Sequence, residues 1–410
     1  MKTLLALALV LWSVTAAAQD VTQRGFIEGR AFVFPQDAVN DPTQAVGDFL
    51  AREEVFARPA PWLRVAGGID LRASTHDQVS DDWQPDVSDR GVRRPRLSIR
   101  RLSATLTRDH VTLDLGKQFI RWGKADIVNP TDRFAPRDFL NVVDAEFLAV
   151  TGARAVVAAG AEAFEGVWVP RFTPSRIPLL DQRWTVVPTE AAGLHVVDAT
   201  DPNALPRGSQ TGFRWNHTGE GFESSLSFYD GFNTLPNVDA HAAGFPPAIA
   251  VSRIYPAIRS YGADAAVPLR WLTVKGEASY FTSTTPGTDE YVLYVIQVER
   301  QTGEWLLVGG YAGEVVTNQR AALTFAPDRG LTRSLVGRAS YTIDPARSVA
   351  FETAVRQNGD GAYAKAEYSQ AHGAHWRFTA TGTLIRGNPA DFLGQYRRNS
   401  HAALALRYSF

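Results

Sequence analysis

The 410-residue sequence contains no cysteine. That excludes disulfides, thiolate metal sites, cysteine nucleophiles and a lipid-modified N-terminal cysteine. Neither sign of charge dominates. Lys and Arg number 42 against 43 Asp and Glu, a formal net charge of −1, which argues against a nucleic-acid partner. Beyond Asp20 there is no apolar run of the roughly 20 residues that a membrane-spanning helix needs. No G-x-S-x-G elbow, phosphate-binding loop or dinucleotide fingerprint occurs. The histidines (His76, His110, His195, His217, His241, His372, His375 and His401) show no metal-ligand spacing. No catalytic residue, metal ligand or cofactor is therefore assigned, and the chain is not read as an enzyme. A second domain, a solenoid period and low-complexity tracts are also missing.

What is present begins at the N-terminus. Lys2 supplies a positive charge, Leu4 to Trp12 form a short apolar run, and Ala16-Ala17-Ala18 offer small residues before Gln19. This pattern predicts a cleaved secretory signal over 1–18 and a single mature domain over 19–410. Hydrophobic residues make up 45% and charged residues 21%, which fits neither a disordered chain nor a helical membrane protein.

The C-terminus narrows the choice. Phe410, Tyr408, Leu406, Leu404 and Ala402 share one face of a strand, and Ser409, Arg407, Ala405, Ala403 and His401 the other. The same period of two recurs upstream. Leu63, Val65, Ile69 and Leu71 alternate with Arg64, Ala66, Gly68, Asp70 and Arg72, and Trp376, Phe378, Ala380 and Leu384 alternate with Arg377, Thr379, Thr381 and Thr383. Helices repeat at three and four instead. Tight turns such as Asp109-His110, Gln301-Thr302-Gly303 and Asp344-Pro345 alternate with long polar links over 74–91, 122–150, 173–207 and 233–250. Short turns on one rim and long loops on the other predict an all-β fold, a transmembrane antiparallel up-and-down barrel. Eighteen segments fit, with both ends on the short-turn side; sixteen fit if the first two lie outside the wall. They include 25–34, 47–58, 94–108, 111–121, 163–172, 251–266 and 399–410. About 16–18 strands leave an aqueous lumen unless loops fill it.

Two groups of lumen residues are candidates for selectivity. Arg96, Arg100 and Arg101 form a cationic row, with the adjacent pair at 100–101 marking a β-bulge. An arginine on the lipid face would cost about 2–4 kcal/mol at mid-membrane, so the row is expected inside, with Arg72, Asp70 and Asp114. Such arginines either favour anions or are neutralised by lumen carboxylates. The second group is the dense segment 116–141, with Arg121, Lys124, Asp126, Asp132, Arg133, Arg137 and Asp138. It is either a constriction folded into the lumen or a rigid external loop. The acidic stretch around Asp77, Asp81, Asp82, Asp86 and Asp89 reads as a solvated external loop, or alternatively a cation site.

The segments GKQFIRWGKADIVNPTDRFAPRDF (116–139) and FLGQYRRNSHAALALRYSF (392–410) resemble a broad group of proteobacterial outer-membrane barrels. That group includes porin-like proteins and, more distantly, the alginate-export porins. Gly116-Lys117-Gln118, Trp122-Gly123, Asn129-Pro130-Thr131-Asp132 and Gly394-Gln395-Tyr396-Arg397 carry the resemblance. It implies an outer-membrane location, and the alginate exporters would imply an arginine-rich, anion-selective lumen. The expected function is a passive porin-like channel for small polar or anionic solutes. The alternatives are an export pore for a polysaccharide or amphiphile, working with exporter components, and a plugged barrel with a surface-binding or structural role. Expected partners are outer-membrane lipid, the permeating solute and the barrel-assembly machinery, which would read the strand ending in Phe410.

Overall fold

The computed structural model describes residues 20–410, apart from 127, 187–194, 201–204, 244–247, 321–326 and 328. The signal expected over 1–18 lies outside the described residues. Eighteen antiparallel strands form the wall. They are β1 (Val21–Val33), β2 (Ala45–Ala60), β3 (Leu63–Ser74), β4 (Leu97–Arg108), β5 (Val111–Gln118) and β6 (Val150–Ala159). Next come β7 (Glu162–Val169), β8 (Gln210–Gly219), β9 (Phe222–Phe232), β10 (Ala257–Pro268), β11 (Thr273–Ser283) and β12 (Glu290–Thr302). The last are β13 (Trp305–Asn318), β14 (Ser334–Asp344), β15 (Arg347–Arg356), β16 (Gly361–His372), β17 (Trp376–Gly387) and β18 (His401–Ser409). Each strand pairs with its neighbours in sequence, and β18 closes on β1, with Phe26 opposite Ser409 and Val33 opposite Ala402. The eighteen-strand reading holds, and the first two segments belong to the wall.

The alternation sorts the wall as hydrocarbon requires. Leu404 and Leu406 project outward and stay exposed, as do Leu102, Leu115, Phe213, Leu226, Ile296 and Leu335. Inward positions along the wall carry charge: Glu28, Arg52, Asp70, Glu165, Arg214 and Glu277. At the short-turn rim the exposed side chains include Trp62, Phe222, Trp271, Trp305, Trp376 and Phe410, a girdle of aromatic rings suited to a membrane–water boundary. The predicted bulge is present. Gly68 pairs with Arg101 and Ile69 with Ile99, which leaves Arg100 as the extra residue on β4.

Some expected boundaries move. The segment 251–266 is not one strand, because Pro256 cannot donate to a ladder and breaks it. Its first residues belong to a strand, Ala248–Ile254, paired outside the wall with Asn237–Ala243 and His195–Asp198. Strand β5 stops at Gln118 rather than 121, just after Gly116 turns to φ 107°. Strand β7 stops at Val169 because Pro170 follows.

The seam at the end of the chain has its own packing. The amide of Phe410 donates to the Gly25 carbonyl, and that of Gly25 to the Phe410 carbonyl, both at 3.0 Å. A Cβ on Gly25 would lie 2.2 Å from the Glu53 carboxylate and 2.6 Å from the Phe410 ring. Gly25→Val should therefore cost about 1–3 kcal/mol through overpacking at the closing seam. The expected result is a lower folded fraction after refolding into detergent, measured by heat-modifiable gel migration; wild-type yield would contradict it.

Candidate functional site: a loop built into the lumen

The link between β5 and β6, residues 119–149, runs inside the barrel. Its apolar side chains make a core with the inner wall. Ile120, Trp122, Val128 and Phe134 pack with Val167, Tyr229, Ile258, Phe281 and Leu293. Phe134 meets Trp122 edge-on at 5.1 Å and Tyr229 at 5.0 Å. Gly212 lets this cluster reach the wall, since a Cβ there would lie 2.6 Å from both the Phe134 and Trp122 rings.

Backbone groups of the loop find partners on wall side chains. Glu277, buried on β11, accepts from the amides of Lys124 (2.9 Å), Ala125 (3.1 Å) and Thr131 (2.8 Å), and from the Thr131 hydroxyl (2.8 Å). Glu165 on β7 accepts from the Trp122 indole at 2.7 Å, and Gln297 on β12 from the amide of Asp126 at 3.0 Å. Arg214 on β8 donates to the Trp122 carbonyl and to Asp264. An irregular backbone buried away from water needs such partners, and here one side of the wall supplies them.

Each candidate residue of the segment has a definite place. Asp132 is an internal brace, accepting from the amides of Trp122 (2.6 Å) and Gly123 (2.7 Å), with Arg121 at 3.3 Å. Lys124 reaches Glu223 at 3.0 Å and Asp264 at 3.4 Å, and Asp126 reaches Lys275 at 3.1 Å. Arg121 and Arg137 both stack on the Phe147 ring, at 4.1 and 4.3 Å, while Arg133 lies over Phe281 at 4.8 Å. Asp138 joins Arg94 (2.8 Å) to Arg176 (3.3 Å).

The arginine row faces inward and meets carboxylates. Arg72 bridges Asp70 (3.0 Å) and Glu146 (2.9 Å), and Asp70 also takes Arg52 at 2.7 Å. Arg100 lies 3.8 Å from Glu54, 4.0 Å from Asp70 and over the Phe119 ring, which Arg101 shares. Asp114 takes Arg154 at 3.5 Å. The acidic link beyond β3, read from sequence as a solvated loop, lies along β4 and supplies further partners: Asp77 to Arg93, Asp81 to Arg96, and Asp89 to Lys117 and Arg176. No cluster suited to a metal ion occurs among the described residues. Sequence reading missed the wall anchors Glu165, Arg214, Glu277 and Gln297, together with Glu146 and Arg176. The inward parity of the wall residues was the available signal.

Space remains on the other side. Adjoining cavities of about 360, 390 and 280 Å³ lie between the loop and the inner faces of β14 to β18 and β1. Asp126, Val142, Val143 and Asp144 of the loop face Arg338, Glu352, Lys365 and Arg377 of the wall across them. The candidate residues thus fall into two sets. Asp126, Asp132, Arg133 and Arg137 line this space, whereas Arg96, Arg100 and Arg101 do not.

A closed eighteen-stranded barrel with an apolar exterior, a charged interior and a long loop folded inward is a membrane-spanning barrel of porin architecture. Solved structures share it. A BenF-like porin from Pseudomonas fluorescens Pf-5 matches with a TM-score of 0.56 at 9% identity, covering 96% of this chain and 98% of that one. The outer-membrane protein OpdK of Pseudomonas aeruginosa matches at 0.54 and 10% identity, covering 96% and 99%. OccAB4 of Acinetobacter baumannii matches at 0.53 and 10%, covering 96% and 98%. At such identities the likeness establishes the fold. No protein-family model and no curated protein matches the chain.

Two expectations follow for the loop. Glu277→Ala leaves three loop amides without their acceptor and should weaken docking by about 2–5 kcal/mol. Open-channel current noise in a planar bilayer should rise, and wild-type noise would contradict the anchor role. The second concerns pH. Burial raises the Asp138 carboxyl, but Arg94 and Arg176 outweigh it and hold the group well below the usual carboxylate range. Burial likewise opposes Arg72 and Arg52 at Glu146, and the arginines prevail, bringing it to about 2. Both pKa values are depressed on folding. Their contribution is therefore full above about pH 4.3, the unfolded value, and is lost as pH falls towards 2. Channel noise should be flat from pH 7 to 5 and rise between pH 4 and 2.

Proposed function

We propose that the chain is an outer-membrane channel through which small polar or anionic solutes diffuse passively, restricted by the loop inside the barrel. The observation that carries the reading is the off-centre set of adjoining cavities between residues 126–144 and the inner faces of β14 to β18. A plug would fill the interior, whereas this loop, anchored on β7 to β12 and tied to β1 and β3 by Asp144 and Glu146, leaves charged cavities before β14 to β18. The constriction role of Asp126, Arg133 and Arg137 belongs to the same proposal, with Arg121, Lys124, Asp132 and Asp138 holding the loop. Export by a cleaved signal over 1–18, and recognition of the strand ending in Phe410 by the assembly machinery, complete it. The likeness to porins from Pseudomonas and Acinetobacter supports the location.

The second reading, an export pore for a polysaccharide or amphiphile, draws on the resemblance to alginate-export porins. The pairing of Arg72 and Arg96 with Glu146, Asp70 and Asp81 weighs against a polyanion path along that row.

Purified protein in a planar bilayer should give stepwise ion conductance, and a persistently silent barrel would favour the plugged alternative. Lys365 lines the open space and makes no ion pair among the described residues. Lys365→Gln should therefore lower the chloride-to-potassium permeability ratio more than Arg96→Ser does. Equal effects would reject this placement of the path.

A further inference from the structure

One wall of the open space is apolar, which a channel for ions and sugars does not require. Val308, Val336 and Ala354 point inward from β13, β14 and β15 and are buried. Leu393, from the link between β17 and β18, packs against Val336 and Ala354, with Leu331 and Phe392 alongside. Val142 and Val143 approach from the loop to complete a cavity of about 360 Å³. That volume accommodates a branched or aromatic side chain with room to pass.

Immediately beside it lies a pair of opposite charges. Arg338 and Glu352 face each other across β14 and β15 at 3.5 Å, and their side chains remain 53% and 36% exposed. Lys365 follows on β16, opposite Glu352 in the register. Apolar surface and charges of both signs thus adjoin on one stretch of lumen. A monovalent ion would leave either the cation or the anion of the pair without a match. A zwitterion engages both, its ammonium on Glu352 and its carboxylate on Arg338 or Lys365, each a charge-assisted hydrogen bond.

We infer that this stretch is a binding station for zwitterionic amino acids with apolar side chains, the side chain sliding on the Val308, Val336 and Leu331 surface while the head group bridges Glu352 and Arg338. The inference rests on the channel reading and specifies its solute.

Three probes of nearly one shape test it: L-leucine, L-leucinamide and 4-methylpentanoate, with glycine as the reference lacking the apolar body. Flux into proteoliposomes containing the full-length barrel should be faster for leucine than for glycine, leucinamide or 4-methylpentanoate, by at least about threefold, the effect of roughly 0.7 kcal/mol. Glu352→Gln should remove that advantage over 4-methylpentanoate. Val336→Thr, which keeps the side-chain shape, should slow leucine and leave glycine unchanged. Ion conductance is recorded on the same preparations. A conducting barrel that passes glycine as fast as leucine, or 4-methylpentanoate faster than either, overturns this inference and leaves the channel reading standing. A barrel that conducts no ions overturns both.

Discussion

Every backbone amide and carbonyl in a hydrocarbon layer has to find its partner within the protein, and the rest of this structure follows from that condition. A sheet meets it by having no edge. The strand that starts the wall therefore has to meet the strand that ends it, and it does so in register from Phe26 to Val33. Closure fixes the parity of all eighteen strands at once. A slip of one residue anywhere would turn Asp70, Glu165 or Glu277 towards lipid and Leu115 or Leu226 towards water. The terminal residue takes part in the seam as well, through its pair of backbone bonds to Gly25.

Closure also creates an interior too wide for wall side chains to fill. The chain answers with a second core inside the first layer. Trp122, Val128 and Phe134 gather there against Tyr229, Phe281 and Leu293. The irregular backbone of the loop has the same need for partners as the wall. It meets that need through side chains rather than a ladder, above all Glu277, which takes three amides and a hydroxyl. Charge then ties the loop to a second arc of the wall and to neighbouring links, where Glu146 and Asp138 sit among Arg52 and Arg72 of β2 and β3 and Arg94 and Arg176 of the links. The loop is held at both flanks.

The wall was legible in the sequence because its signal is local. Period-two alternation, tight turns and the final strand each depend on residues close in the chain. Even the bulge at Arg100 shows as a break in parity. Alternation misled where it ran on without a wall beneath it, across Pro256 into the outer strand Ala248–Ile254. The loop was legible as structured but not as attached. Its partners lie far along the chain, Glu277 being 152 residues from Ala125, and nothing in a lone inward glutamate says which distant amide it will accept. The arginine row was legible as inward-facing, while its partners were hidden in the acidic stretch that reads as a solvated loop. Asp81 comes back along β4 to meet Arg96, and Asp77 and Asp89 take the nearby Arg93 and Lys117.

The loop is anchored on the arcs β1 to β3 and β7 to β12 and leaves open space before β14 to β18, so these arcs live under different rules. From β7 to β12 an inward side chain is held by what it packs against, and a change of size or charge disturbs the loop. From β14 to β18 the inward charges Arg338, Lys365 and Arg377 face open space, and a change there alters what passes with little effect on the loop, although Val336, Ala354 and Ile385 on the same arc are packed. Divergence among barrels of this design should therefore be lopsided: conservative along one arc of the circumference, and free to explore along the other.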